Sequence, residues 1–161
     1  PRPKGLGRPG LAGEVRRPGL DLCAALHLVG RDRPRRLRAD AVGDVWIAAF
    51  PEAKIVRYRP ADGSFSDYPL PTALNGAETP YSLNVDRARQ QVWVTGTASD
   101  NLMRLDIASG QWRTFPMPRK VTFTRDIEIA ADGSVFTSNG AFPSWQIEDG
   151  QPTLIQLTPG D

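Results

Sequence analysis

The sequence predicts an all-β chain built from about three consecutive four-stranded antiparallel units. Three observations lead there. Val45-Trp46, Val92-Trp93 and Val135-Phe136 recur, first 47 and then 43 residues apart. Fifteen Gly and fifteen Pro punctuate the 161 residues, which disfavours long helices and favours short strands joined by turns. The runs between these breakers are rich in aromatic and β-branched residues, which suit strands better than helices.

The first two units stay in register at the constant offset of 47. Lys54-Ile55-Val56-Arg57 falls on Asn101-Leu102-Met103-Arg104, Phe65 on Trp112, Tyr68 on Phe115, and Pro69-Leu70-Pro71 on Pro116-Met117-Pro118. In the second unit the strands read Tyr81–Asp86, Gln91–Thr95, Leu102–Ile107 and Gln111–Met117. Gly63 and Gly110 are the expected left-handed turn positions. The first unit begins near Leu37, with Asp40 and Gly43 matching Ala130 and Gly133 of the third. In the third unit Ile127-Glu128-Ile129 is the expected first strand and Ser134–Ser138 the second. Ser144–Ile147 is the expected third strand and Thr153–Leu157 the fourth, with Asp149-Gly150 between them.

Repeats of this length with four strands each are the pattern of propeller blades. The expected architecture is therefore a partial β-propeller with blades at approximately 37–75, 81–119 and 125–159. Three blades do not close a ring, and each end blade would present an apolar sheet face. The expectation is part of a longer propeller, with self-association through the end blades as a further consequence. Trp46, Trp93 and Phe136 are expected in the core between blades. Arg57 and Arg104 repeat in register, so bridging of strands or blades is favoured over ligand binding. Asp40 and Asp86 are expected to accept backbone N–H groups in turns.

Residues 1–36 do not join the repeat. Residues 1–38 carry ten Lys and Arg against Glu14, Asp21 and Asp32, whereas residues 39–161 carry ten against fifteen acids. The basic pI of about 9.1 thus belongs to the N-terminal segment. A disordered basic arm, a linker and out-of-frame sequence all fit it, and the abrupt change at Leu37 favours the last. The segment has no aromatics and no helical or RNA-binding signature, which argues against nucleic acid as a partner. No apolar run approaches the roughly 18 residues of a membrane-spanning helix. Cys23 stands alone, so neither an internal disulfide nor a multi-cysteine metal site can form. His27, the single histidine, lies in the same doubtful segment.

The Asp-x-x-Gly-x-Val-Trp turn and strand, the Ile-x-Arg of the third strand, and the closing Tyr-Pro-Leu-Pro and Phe-Pro-Met-Pro together carry a family likeness. With Pro80-Tyr81-Ser82-Leu83 they resemble the streptogramin B lyase (virginiamycin B lyase)-like β-propellers over roughly residues 37–159. The resemblance implies a blade reading Pro-His-Gly-Ile and then Asp-Gly-x-Leu-Trp-Phe-Thr-Glu. It also implies a cluster of His and Glu around Mg²⁺ on one face, which opens a cyclic depsipeptide lactone by elimination. Here the His position falls on Arg35, Tyr81 and Arg125, and the Glu position on Ala49, Gly96 and Ser138.

Candidate ligand-binding residues are Tyr81 and Arg125, with the loops Phe50–Glu52, Thr97–Asn101 and Asn139–Pro143 around one channel mouth. Tyr and Arg there suit an anionic or aromatic ligand. Asp126 and Glu128 share a strand face and form a candidate Mg²⁺ or Ca²⁺ pair, although solvated or Arg-paired acids are commoner. The leading reading is a ligand-binding or sensing propeller whose partner is a small molecule or protein at the propeller face; its location is open between extracytoplasmic (periplasmic or secreted) and cytoplasmic, the former favoured. The alternatives are a Mg²⁺-dependent lyase or lactonase whose acid–base residues lie in further blades, and a protein-interaction scaffold.

Overall fold

The computed structural model describes residues 37–71, 78–119, 123–138 and 153–158. Residues 1–36, including Cys23, His27 and Arg35, lie outside the described residues, as do the loop Asn139–Pro143 and the expected strand Ser144–Ile147. Among the described residues eleven strands form three antiparallel sheets. In the first blade β1 (Leu37–Ala39), β2 (Val45–Ala49), β3 (Lys54–Arg59) and β4 (Ser64–Pro69) pair in chain order. In the second, β5 (Pro80–Asp86), β6 (Gln91–Gly96), β7 (Asn101–Asp106) and β8 (Trp112–Pro116) do the same. The third holds β9 (Glu128–Ile129), β10 (Val135–Ser138) and β11 (Leu154–Leu157). The one helical element among the described residues is a 3-10 turn at Phe50–Glu52.

The offset of 47 reaches the backbone dihedrals. Gly63 and Gly110 both hold φ +70°, and each donates its N–H to the residue four back, Arg59 and Asp106, at 2.9 Å. Ala53 and Asp100 are left-handed at φ +50° and +52°, and their carbonyls accept from Leu70 and Met117 at 2.9 and 2.8 Å. The turn opening each end blade repeats as well. Gly43 at φ +92° donates to Asp40, and Gly133 at φ +91° donates to Ala130. Asp40 locks its turn from the side chain. Its Oδ1 accepts the Val42 and Asp44 N–H groups at 3.0 Å, and Oδ2 accepts the buried Trp46 indole N–H at 2.9 Å. Asp86 accepts the N–H groups of Ala88 and Arg89 in the same manner.

Alternation along each strand divides the apolar residues between two faces. Trp46, Ala48 and Ile55 of the first blade pack against Leu83, Val92, Val94, Met103 and Leu105 of the second. The opposite face of the second blade supplies Trp93 and Leu102, which pack with Met117 against Ile127, Val135 and Ile155 of the third. The outermost strands β4 and β8 expose Asp67 and Arg113, charges that discourage edge pairing. Arg57 and Arg104 bridge strands. Arg57 donates from Nε and Nη2 to Asp44 Oδ2 at 2.7 and 2.6 Å and lies 5.4 Å over the Trp46 ring. Arg104 lies 5.6 Å over both Trp93 and Phe115.

Three expectations are corrected. Residues 154–157 form the third strand of the last blade, not the fourth. They pair directly with β10, Val135 opposite Leu157 and Thr137 opposite Ile155, as Val92 and Val94 oppose Leu105 and Met103 in the second blade. Phe136 holds the register position of Trp46 and Trp93 but is only half-buried, because it faces away from the second blade. On the far face of the first blade Ile47, Ala49 and Val56 are buried at 4%, 3% and 0% exposure rather than open to water. Leu37, Val45, Tyr58 and Phe65 pack against them.

Candidate ligand-binding site

β5 starts with one residue more than its partner. Pairing shifts between Pro80↔Gly96 and Leu83↔Val94, so Tyr81 and Ser82 together oppose Thr95. Thr95 Oγ1 fills the irregularity, accepting the Ser82 N–H at 3.1 Å and donating to the Ser82 carbonyl at 3.4 Å. Such bulges redirect side chains. Tyr81 meets Phe50 of the first blade edge to face, with centroids 5.8 Å apart and an interplanar angle of 84°. From the third blade, the Arg125 guanidinium lies 5.8 Å from the Tyr81 ring centre and 4.7 Å from that of Phe123. Phe50, Tyr81, Arg125 and Phe123 thus form one line contributed by all three blades. Cation–π contacts of this kind contribute about 0.5–1 kcal/mol at exposed sites, and Arg125 is exposed.

Sequence reasoning missed two members of this end of the molecule. Phe123 lies in a segment without strand pattern and holds φ +45°, an uncommon conformation for an aromatic residue. Glu78 precedes β5 and is 1% exposed. Its Oε1 accepts the N–H groups of Thr79 at 2.9 Å and Ala98 at 3.2 Å, tying the entry of β5 to the turn after β6. The signal for Glu78 was an acid just before a buried strand, which looks the same as a solvated linker acid. Its Oε2 lies 3.1 Å from where a Cβ on Gly96 would stand, and Ser99 Oγ lies 2.5 Å from that point. Gly96 therefore leaves the room that the carboxylate occupies.

Asp126 and Glu128 are placed elsewhere. They line a shallow depression of about 170 Å³ with Phe136 and Leu154. Thr137 Oγ1 donates to the Asp126 backbone carbonyl at 2.6 Å, and Asn84 Nδ2 approaches Glu128 Oε2 at 3.5 Å. Mg²⁺, which the resembled family implies, needs several converging oxygen ligands. Of the residues at that family's repeat positions, Arg125 is a cation, Ala49 has no side-chain oxygen, and Gly96 has neither a side chain nor space for one. Among the described residues no three His, Cys, Asp or Glu side chains converge. These residues do not fit the ion.

The sheets follow one another around a shared inner edge, with β5 packed against both β1 and β9. This arrangement is matched in solved structures. A streptogramin B lyase structure shares 21% identity over 73% of this chain and 38% of its own, with a TM-score of 0.57. The chain has a β-propeller fold. A catalytically inactive virginiamycin B lyase from Staphylococcus aureus with quinupristin is similar at 20% identity, covering 75% of this chain and 40% of its own, with a TM-score of 0.59. The extracellular domain of a hybrid two-component system from B. thetaiotaomicron aligns with 63% of this chain and 13% of its own, at 19% identity and a TM-score of 0.52. No protein-family model and no curated protein matches the sequence. At these identities the likeness is one of fold, and the propeller here spans about two fifths of the length of the lyase structures. Among the described residues no helix is long and apolar enough to cross a membrane.

Proposed function

We propose that these propeller blades bind a small anionic aromatic ligand at the mouth formed by Phe50, Tyr81, Phe123 and Arg125. The Arg125 guanidinium beside two aromatic rings carries this reading. Aromatic faces supply apolar contact at low entropic cost, and an exposed guanidinium supplies two parallel donors to a carboxylate or phosphate. Binding is favoured over lysis because the resembled family's acid–base positions hold groups unsuited to proton transfer here. Ala49 and Gly96 have no ionisable side chain, and Tyr81 and Ser138 offer a hydroxyl where the resembled family has an imidazole or a carboxylate.

Fluorescence titration with indole-3-acetate tests the reading. Saturable binding is expected, weakened about tenfold or more in Arg125→Ala, as loss of a hydrogen bond to a charged group implies. Tyr81→Ala should weaken it as well. Unchanged affinity in both variants would remove the site from consideration. Incubation of the chain with quinupristin and Mg²⁺ is expected to give no opened product.

A further inference from the structure

A second cavity opens at the other end of the inner edge. Tyr81 is the second residue of β5 and Arg87 follows its end, about 20 Å away at the rise of an extended strand. There Arg38, Arg87 and Arg89 line a cavity of about 550 Å³ over Val85 and Ile129, with Ala39, Ala88, Ala130 and Ala131 leaving the wall low. This volume lies within the range of small-molecule sites.

The charge around it is lopsided. Among the described residues Asp86 is the one carboxylate in the lining, and its oxygens are already engaged. Oδ1 accepts the Ala88 and Arg89 N–H groups, and Oδ2 accepts Arg89 Nη1 at 3.1 Å. Nearby, Asp132 is held by the Ser134 N–H and hydroxyl, and Glu128 lies beyond Asn84. Arg89 is balanced by Asp86 and anchored to the Asp132 carbonyl at 2.8 Å. Arg87 differs. Its Nε donates to the Ala39 carbonyl at 3.0 Å, which fixes the guanidinium and leaves its terminal nitrogens for another acceptor. It has no carboxylate partner among the described residues, and it is exposed.

We propose that this cavity is a binding site for a phosphate monoester, separate from the Tyr81–Arg125 mouth. Arg87 takes the phosphoryl oxygens through its terminal nitrogens, Arg38 adds positive charge from the neighbouring blade, and Val85 and Ile129 contact the organic portion. A guanidinium fixed through Nε presents its remaining donors in a planar fork that matches phosphate oxygens. The alanines let the ligand approach the strands closely.

Calorimetric titration of the full chain with phenyl phosphate tests the proposal, with inorganic phosphate and phenol as the separated halves. Phenyl phosphate should bind most tightly, phenol least, and rising salt should weaken binding. Arg87→Gln should lower affinity about tenfold or more, and Arg38→Gln should lower it less. Because Arg87 also joins two blades, Trp fluorescence checks that each variant is folded, and Arg38→Gln carries the test should Arg87→Gln unfold. Phenol binding as well as phenyl phosphate, or wild-type affinity in folded Arg87→Gln, would overturn the proposal. Loss of phenyl phosphate binding in Arg125→Ala but not in Arg87→Gln would assign the ligand to the opposite mouth and equally overturn it.

Discussion

Replacing Gly96 by alanine tests the packing beneath the Tyr81 mouth. A Cβ at this position would stand 2.5 Å from Ser99 Oγ, 2.9 Å from Met103 Cε and 3.1 Å from Glu78 Oε2. The first two distances are shorter than real Cβ contacts allow. Met103 is fully buried, and its methyl has little room to retreat. Overpacking of this kind costs about 1–3 kcal/mol. Removing the backbone freedom of a strand glycine returns about 0.5–1 kcal/mol, so a net loss of roughly 1–2 kcal/mol is expected. Ser99 offers a second handle, because its Oγ is buried without a hydrogen-bond partner among the described residues. Ser99→Ala removes an unsatisfied hydroxyl, a change expected to be neutral or stabilising by about 1 kcal/mol. In a double-mutant cycle by urea denaturation, Gly96→Ala should therefore be less harmful on the Ser99→Ala background. A neutral or stabilising Gly96→Ala, or strictly additive effects, would refute the packing argument.

Three further outcomes are expected. Asp40→Ala strands the Trp46 indole N–H and the Asp44 N–H, both buried, and should cost roughly 2–4 kcal/mol in chemical denaturation. Gly63→Ala and Gly110→Ala should each lose about 1–2 kcal/mol and nearly equally, since both hold φ +70° with nothing within 4 Å of the added methyl. The Ser64 and Ser109 hydroxyl and N–H groups hold Asp62 and Asp106 below the usual 3.8, and the Ser134 N–H and hydroxyl do so for Asp132. Their support for folding is then fully present above the unfolded pKa and fades as pH falls through the lower folded value. Carboxyl titration by NMR should show all three midpoints below 3.8, with Ser109→Ala bringing Asp106 back toward it.

The repeat was legible because the same local chemistry recurs at a fixed offset. A glycine at the β3–β4 turn, a Trp beneath an Arg one strand over, and a proline-flanked apolar residue closing the blade need no long-range information. The last blade was less legible. Ser144–Ile147 and Thr153–Leu157 read equally well as strands, and only the pairing of β11 with β10 shows which residues occupy the third position. Hydrogen-bond partnership across fifteen or more residues leaves no mark on either segment's own pattern. Tyr81 and Arg125 were visible as unusual residues at repeat positions, and the structure brings their side chains together. Glu78 and Phe123 were invisible because both lie between blades, where no repeat exists to compare them with.

The turn after β5 is a single joint between three bodies. Arg87 reaches back to the Ala39 carbonyl of the first blade, while Arg89 reaches forward to the Asp132 carbonyl of the third, beneath Gly133. In a linear array of repeats each unit feels only its neighbours, and melting tends to fray inward from the ends. A turn that grips both neighbours raises nearest-neighbour coupling from one site, so opening it exposes two boundaries at once. Native-state hydrogen exchange would then report Ala39, Asp86 and Asp132 within one cooperative opening rather than as three independent blades.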